Sequence, residues 1–262
     1  VGLLILGNYD EFILEIKRIC SIDLSFYKEK QMRRRIESLI RRNALNDYKS
    51  YIDLIRRSKK HLEEFLGYIT INVSEFFRNP NQWKVLEEQI LPEIFDSKKN
   101  IKIWSSACST GEEPYSLAML LSKMGYIDRA KILASDLDTS AIENAKLGVY
   151  NKKSIANIDR SILNKHFLQQ GDHYIIKDDI KKKVEYSILD LLKDPFPREC
   201  DLILCRNVMI YFTEEAKEML YKKFYDALSD NGVFFVGSTE QIIMPQKYGF
   251  TSKKNFFYEK II

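Results

Sequence analysis

Histidine is scarce in this chain of 262 residues: only His61, His166 and His173 occur. The four cysteines, Cys20, Cys108, Cys200 and Cys205, form no CxxC pair and have no histidine at zinc-ligand spacing. A structural metal site is therefore not expected, and the thiols read as buried groups of a reducing cytoplasm. Proline is absent before Pro80, and Gly67 is the one glycine between Gly7 and Gly111. The first quarter of the chain thus lacks helix breakers. Nowhere is there an apolar run of the ~20 residues that a membrane-spanning helix needs, so direct membrane insertion is not expected. The opening VGLLILG is shorter than that and lacks a secretory signal's basic flank and cleavage pattern. With no initiating methionine before it, it reads as a truncated end or as the first turn of a helix. Large net charge is missing too. The balance is +4, with 30% charged and 45% hydrophobic residues, and carries no whole-molecule attraction to nucleic acid.

What is present divides the chain in two. Up to about residue 70 the apolar residues recur at helical spacing: Phe12, Ile13, Ile16 and Ile19, then Met32, Ile36, Leu39 and Ile40. Between Lys28 and Lys60, 12 basic residues face 4 acidic ones, and Arg33, Arg34, Arg35, Arg41 and Arg42 lie off the apolar face of their helix. From Ile101 strands alternate with helices. IKIWSSA, AKILASDLD, KKVEYSILD, CDLILCRNVMIYF and VFFVGSTE read as strands, with NFFYEKII closing the set. Helices are expected over EEPYSLAMLLSKM, ending at Gly125, over DTSAIENAKLGVY, with Asp138, Thr139 or Ser140 as cap, and over TEEAKEMLYKKFYDALSDNG, ending at Asn231-Gly232. Such alternation predicts an α/β fold with a doubly wound parallel sheet. HYIIKDDIKKKVEY interrupts the rhythm and reads as an antiparallel hairpin turning at Lys177-Asp178-Asp179. The expected division is a helical domain over 1–70, a linker contributing to the active site over 71–90, and the sheet domain over 91–262. A β-subdomain is inserted near 167–187.

Ligands of such sheets lie beyond the carboxyl ends of the strands. The first strand runs into ACSTGEEP, which has one glycine, no lysine and two adjacent carboxylates, Glu112 and Glu113. These would repel a pyrophosphate and suit a cationic guest such as an ammonium or a sulfonium; S-adenosylmethionine carries both. An isolated TGEE also fits a capping box, with Thr110 as cap and Glu113 reaching back to its amide. The second strand ends in Asp136, where nucleoside-binding sheets grip ribose, and the third in Asp190, an acceptor for an adenine amino group. TINVSEFFRNPNQW and CRNVMIYF are each open to a functional reading and to one as linker or buried strand end.

Together NVSEFFRNP, IWSSACSTGEEPYSLAM, ASDLDTSAIENAKLGVY, CRNVMIYF and DNGVFFVGSTE, in this order over nearly the whole chain, resemble the chemotaxis receptor methyltransferases, the CheR family. The resemblance implies a small helical domain followed by an S-adenosylmethionine-dependent methyltransferase sheet with an inserted β-subdomain. It implies an enzyme forming glutamyl methyl esters on chemoreceptors in the cytoplasm, with S-adenosylhomocysteine as product. It places Asn72, Ser74 and Arg78 in the cofactor and active-site wall, and Glu113, with Glu112 beside it, at the methionine ammonium. Asp136 falls at the ribose, Asp190 and Leu191 around the adenine, and Arg206 and Asn207 in the same pocket. Arg78 and Tyr211 would face the substrate glutamate as catalytic residues. Ser74 stands where the family usually has Thr, and Asp190 where Asn is common. GSTEQ replaces the more usual HSE, which leaves the roles of Ser238 and Glu240 open.

The implied partners are glutamate-rich cytoplasmic helices of methyl-accepting receptors, with the basic helix from Arg33 to Arg42 either steering them or merely solvated. In some members the β-subdomain binds a receptor-tail peptide by strand addition, and the sequence does not say whether this one does. A second reading, prompted by the basic helix, is a methyltransferase acting on nucleic acid; the absence of an NPPY-type tetrapeptide weakens it, so nucleic acid is not an expected partner. A regulatory module that binds the cofactor without catalysis is the third reading.

Overall fold

A computed structural model describes residues 7–261. The opening apolar stretch, residues 1–6, and the expectation attached to it lie outside the described residues. The chain forms two compact units. One comprises the residues up to Asn72 together with Tyr211–Lys217, and the other Val73–Ile210 with Glu218–Ile262.

The first unit holds helices α1 (Tyr9–Cys20), α2 (Glu29–Arg42), α3 (Tyr48–Arg57) and α4 (Lys59–Ile69). Side chains of Asn8, Asp47 and Ser58 cap three of the N-termini, each accepting a first-turn amide. The 3.6-residue period buries Phe12, Ile16, Met32, Ile36, Leu39, Tyr51, Ile55 and Phe65 in one core. Residues 211–217 join through short links: Lys28 N–H donates to the Tyr211 carbonyl at 2.8 Å, and Thr213 N–H to that of Phe26 at 2.8 Å. The rings of Tyr27 and Phe212 meet edge-on at 5.0 Å.

The second unit begins with a continuous helical stretch: α5 (Pro80–Val85), a π-helical turn (Leu86–Ile90) and α6 (Leu91–Ser97). Residues 80–90, expected as linker, are therefore helix. Pro80 at the first helical position and buried Trp83, Leu86, Ile90 and Ile94 supply the start and the face. Then follow β1 (Ile101–Ser105), α7 (Glu112–Met124), β2 (Ala130–Asp136), α8 (Thr139–Leu147), β3 (Val149–Asn151), α9 (Arg160–His166), β4 (Phe167–Gln170) and β5 (His173–Ile176). After these come α10 (Asp178–Lys181), β6 (Val184–Ile188), β7 (Cys200–Cys205), α11 (Glu214–Ala227), β8 (Leu228–Val236), β9 (Phe250–Lys254) and β10 (Phe257–Lys260). Seven strands form one sheet in the order β6-β2-β1-β7-β8-β10-β9. The first five run parallel and β10 lies antiparallel to both β8 and β9.

Both faces of this sheet are covered, as the two-residue period of the strands requires. Ile103, Leu202, Leu204 and Phe235 belong to the core cluster with Trp83, Leu86 and Leu121. Their neighbours Trp104 and Phe234 point the other way, where Phe196, Phe224 and Phe250 stack around them.

Several expectations are corrected. The strand expected over CDLILCRNVMIYF ends at Cys205, and Met209–Tyr211 is a 3-10 turn. The small antiparallel sheet, β3-β5-β4, turns at Gly171-Asp172, not at Lys177-Asp178-Asp179. Asp178–Lys181 is a helical turn, and Val184–Ile188 pairs with β2 in the main sheet. The alternation in HYIIKDDIKKKVEY is shared by two strands of different sheets, and the glycine at φ 57 is where the backbone reverses. Likewise α11 stops at Ala227, because Leu228 onward pairs with β7. Strand β9, too polar on one face to read as a strand, is held by β10.

Candidate active site

The crossover from β6 back to β7 makes β1 and β7 the switch point of the sheet, and the loops leaving their carboxyl ends converge there. The β1 loop is stitched to both neighbours. Ser106 N–H donates to Leu204 at 2.8 Å and Cys108 N–H to Ser135 at 2.9 Å. Gly111, at φ 93, then starts α7, and a Cβ there would lie 2.9 Å from Ala145 Cβ and from the Tyr186 hydroxyl. Only glycine fits this approach. Tyr150, from the small sheet, donates its hydroxyl to the Thr110 carbonyl at 2.7 Å.

Glu112 and Glu113 fall in the first turn of α7, where the helix dipole favours carboxylates. The expected capping box does not form. The cap is Gly111, and Thr110 donates its hydroxyl to Glu112 Oε2 at 2.7 Å. Glu113 accepts from Ser105 Oγ at 2.8 Å and pairs with Arg206 at 3.2 Å. Glu112 is 4% exposed, with the Thr110 and Ser74 hydroxyls beside it, and burial pushes its carboxyl above the ordinary range.

Asp136, at the end of β2, accepts Ser109 N–H at 2.7 Å and Asp138 N–H at 3.0 Å, which ties the β1 and β2 loops together. Burial raises its pKa despite these bonds. Asp190 follows β6 and accepts Leu192 N–H at 2.9 Å, and burial raises it as well. Leu191 is buried beside it, and its carbonyl accepts from Lys223 at 2.6 Å. Carboxylates thus crown three adjacent strands, in the spatial order Asp190, Asp136, Glu112/Glu113.

Segment 74–79 is held against this loop. Phe77 N–H donates to Ser116 Oγ at 2.9 Å, and that hydroxyl donates to the Glu112 carbonyl at 2.7 Å. Phe76 is fully buried between the rings of Tyr150 and Phe167. Arg78 donates to the Val73 carbonyl at 3.0 Å.

Arg206 is buried and fastens several segments together. Besides Glu113 it reaches the Arg78 carbonyl at 2.8 Å, Asn79 Oδ1 at 3.2 Å and Gln82 Oε1 at 2.8 Å, with Trp83 and Phe235 rings across its guanidinium. Its partners are far apart in sequence, so no local pattern announces them. Asn207 follows in the left-handed region at φ 61, its N–H bound to Glu240 at 2.5 Å. Asn72 and Tyr211 belong to the helical unit, and Asn72 donates to Thr70 Oγ1 at 3.3 Å. Among the predicted residues the structure therefore brings Ser74, Glu112, Glu113, Arg78, Asp136 and Arg206 into one bonded framework, with Asp190, Leu191 and Asn207 on the neighbouring strand ends. Ser105, Ser116, Gln82 and Tyr150 were not foreseen, being ordinary polar residues whose bonds exist only in the fold.

A model of the CheR methyltransferase all-alpha domain matches residues 7–70, and one of the CheR methyltransferase SAM binding domain matches residues 72–257. The chain belongs to the CheR methyltransferase family. It is 40% identical over 254 residues to a chemotaxis protein methyltransferase of Listeria innocua, covering 97% of each chain. It is 34% identical over 256 residues to that of Borreliella burgdorferi, covering 89% of each. With the Escherichia coli protein of the same description it shares 31% over 230 residues, 84% of this chain and 79% of that one. The fold is accordingly the methyltransferase α/β sheet, and the cofactor is S-adenosylmethionine. The residues present fit it: Glu112 is a buried carboxylate that accepts from the Thr110 and Ser74 hydroxyls and from its own main-chain N–H, a set of neutral donors that a cationic ammonium completes. Among the described residues no His, Cys, Asp and Glu group suits a metal ion, and no helix is long and apolar enough to cross a membrane.

Proposed function

We propose that this protein esterifies glutamate side chains on the cytoplasmic helices of chemoreceptors, using the residues described above. S-adenosylmethionine supplies, when bound, an electrophilic methyl group on a cationic sulfur. In this reading Glu112 takes the ammonium of the methionine moiety, and Glu113, already neutralised by Arg206, supports it from behind. Asp136 keeps spare lone pairs for ribose hydroxyls, since each of its oxygens accepts one main-chain N–H. Asp190 and Leu191 flank the base, and Asn72, Ser74 and Asn207 close the wall. The ladder of carboxylates beyond β6, β2 and β1, half-buried at Asp190 and buried at Asp136 and Glu112, is the observation that carries the assignment.

The acceptor needs no general base. A glutamate with a reference pKa of about 4.3 is ionised at neutral pH, which suits a framework containing no histidine. Arg78 holds the incoming carboxylate. A loose contact by Arg78 preserves nucleophilicity better than a bidentate pair. Alignment of the two reactants supplies up to about 7–11 kcal/mol of the barrier reduction. The receptor segment is a glutamate-rich helix, and α2 offers it positive charge. Arg33 and Arg42 are partly neutralised by Glu29, Glu37 and Glu64, and Arg35 is turned onto Tyr68. Exposed Arg34 and Arg41 are the better candidates for steering. Such a reaction belongs to the cytoplasm, where those receptor helices lie.

The test is transfer of labelled methyl to a receptor cytoplasmic fragment, followed by alkali. Release as methanol is expected for a glutamyl ester. Alkali-stable label would point to nitrogen as the acceptor. Cofactor binding without transfer to any acidic helix would favour a regulatory module.

A further inference from the structure

The loop after β8 carries one of the molecule's buried carboxylates, Glu240, at 6% exposure. Its oxygens collect three main-chain donors. Oε2 accepts the N–H of Asn207 at 2.5 Å and of Gly237 at 2.9 Å, and Oε1 accepts that of Ile210 at 3.3 Å. Two of these donors begin and end the turn that leaves β7 at the switch point of the sheet. Asn207 is left-handed at φ 61, a conformation that needs support in any residue but glycine, and Met209–Tyr211 tightens into a 3-10 turn. Gly237 is shaped to the same end: a Cβ there would lie 2.3 Å from Glu240 Oε2 and 2.9 Å from the Asn207 nitrogen. Burial pushes the carboxyl of Glu240 upward, and the amides oppose that shift by favouring its ionised form. Four features thus serve one arrangement: a glycine without a side chain, a desolvated carboxylate, a left-handed asparagine and a short turn.

We propose that Glu240 is a positioning residue of the methyl-transfer site, its carboxylate setting the main-chain course of residues 207–210. It thereby places Asn207 at the cofactor and directs the chain into Tyr211. The functional half of this statement rests on the methyltransferase reading, and the structural half does not.

Glu240→Gln keeps the size and one acceptor but turns an NH2 group toward a main-chain N–H. The full chain carrying it is compared with the native chain at 15 °C by calorimetric titration with S-adenosylhomocysteine and by amide exchange. The expected result is a folded variant whose dissociation constant rises at least tenfold, with Asn207 and Ile210 amides exchanging at least tenfold faster. A folded variant within twofold of the native chain in both measurements overturns the proposal. So does one that merely melts earlier with unchanged affinity, since that is the mark of a stabilising role alone. Should Glu240→Gln fail to fold, Gly237→Ala decides by the same thresholds, because its methyl displaces the carboxylate while keeping the charge. If the native chain binds S-adenosylhomocysteine but esterifies nothing, the proposed function fails, and the affinity and exchange results still judge Glu240.

Discussion

Glu112 and Glu113 are neighbours in one helical turn, yet Glu113 is paired with a guanidinium and Glu112 with neutral donors, the Thr110 and Ser74 hydroxyls among them. Substitution should separate them. Glu113→Gln leaves Arg206 buried without its counter-charge, a loss of about 3–5 kcal/mol for a broken buried pair. Its unfolding transition should move sharply to lower denaturant. Glu112→Gln removes a carboxylate that burial already disfavours, so stability should hold or rise while S-adenosylmethionine affinity falls about tenfold, or 1.4 kcal/mol. Denaturant melts and titrations on the same two variants check this, and the reverse ranking would rule out the assignment of the ammonium to Glu112.

The small β-sheet is joined to the β1 loop at one polar contact, the Tyr150 hydroxyl on the Thr110 carbonyl, and through Phe76 to segment 74–79. It therefore props two active-site segments from behind as well as presenting an outer face. Tyr150→Phe keeps the ring packing and removes the bond, at a cost of about 1 kcal/mol. We expect the Gly111 amide region to exchange faster and cofactor affinity to weaken several-fold, with the far-UV circular dichroism unchanged. Unaltered exchange and affinity together would mean that the β1 loop is held by its main-chain links alone.

Across the molecule, Glu112, Asp136, Asp190 and Glu240 share a raised pKa caused first by burial. The unliganded folded chain then holds protons more tightly than the unfolded one. The stability these groups contribute is full below the unfolded carboxylate pKa values, about 4, and is lost as pH rises through their folded values. A cationic guest beside Glu112 reverses that preference. Binding should therefore release protons, and affinity should climb as pH rises through the same window. Calorimetry just above the ordinary carboxylate range, in two buffers of different ionisation enthalpy, measures the release, which Glu112→Gln should diminish. Proton uptake on binding would contradict the placement.

Most elements of this fold were legible in the residues. Helical spacing in the first quarter, strand-helix alternation after Ile101, and the glycine at Gly125 are short-range signals that local sterics and periodicity enforce. The acidic strand ends were legible for the same reason, since a strand followed by its loop is contiguous in the chain. Pairing was not. The same apolar-polar alternation runs through His173–Ile176 and Val184–Ile188, and only the partner strand decides that one joins the small sheet and the other the main sheet. Nor could two adjacent glutamates be told apart, because what distinguishes them is Arg206, 93 positions away. Local chemistry thus determined which groups stand at the sheet's edge. Long-range desolvation and pairing, which exist only once the chain has closed on itself, decided which of them keep a charge to offer a ligand.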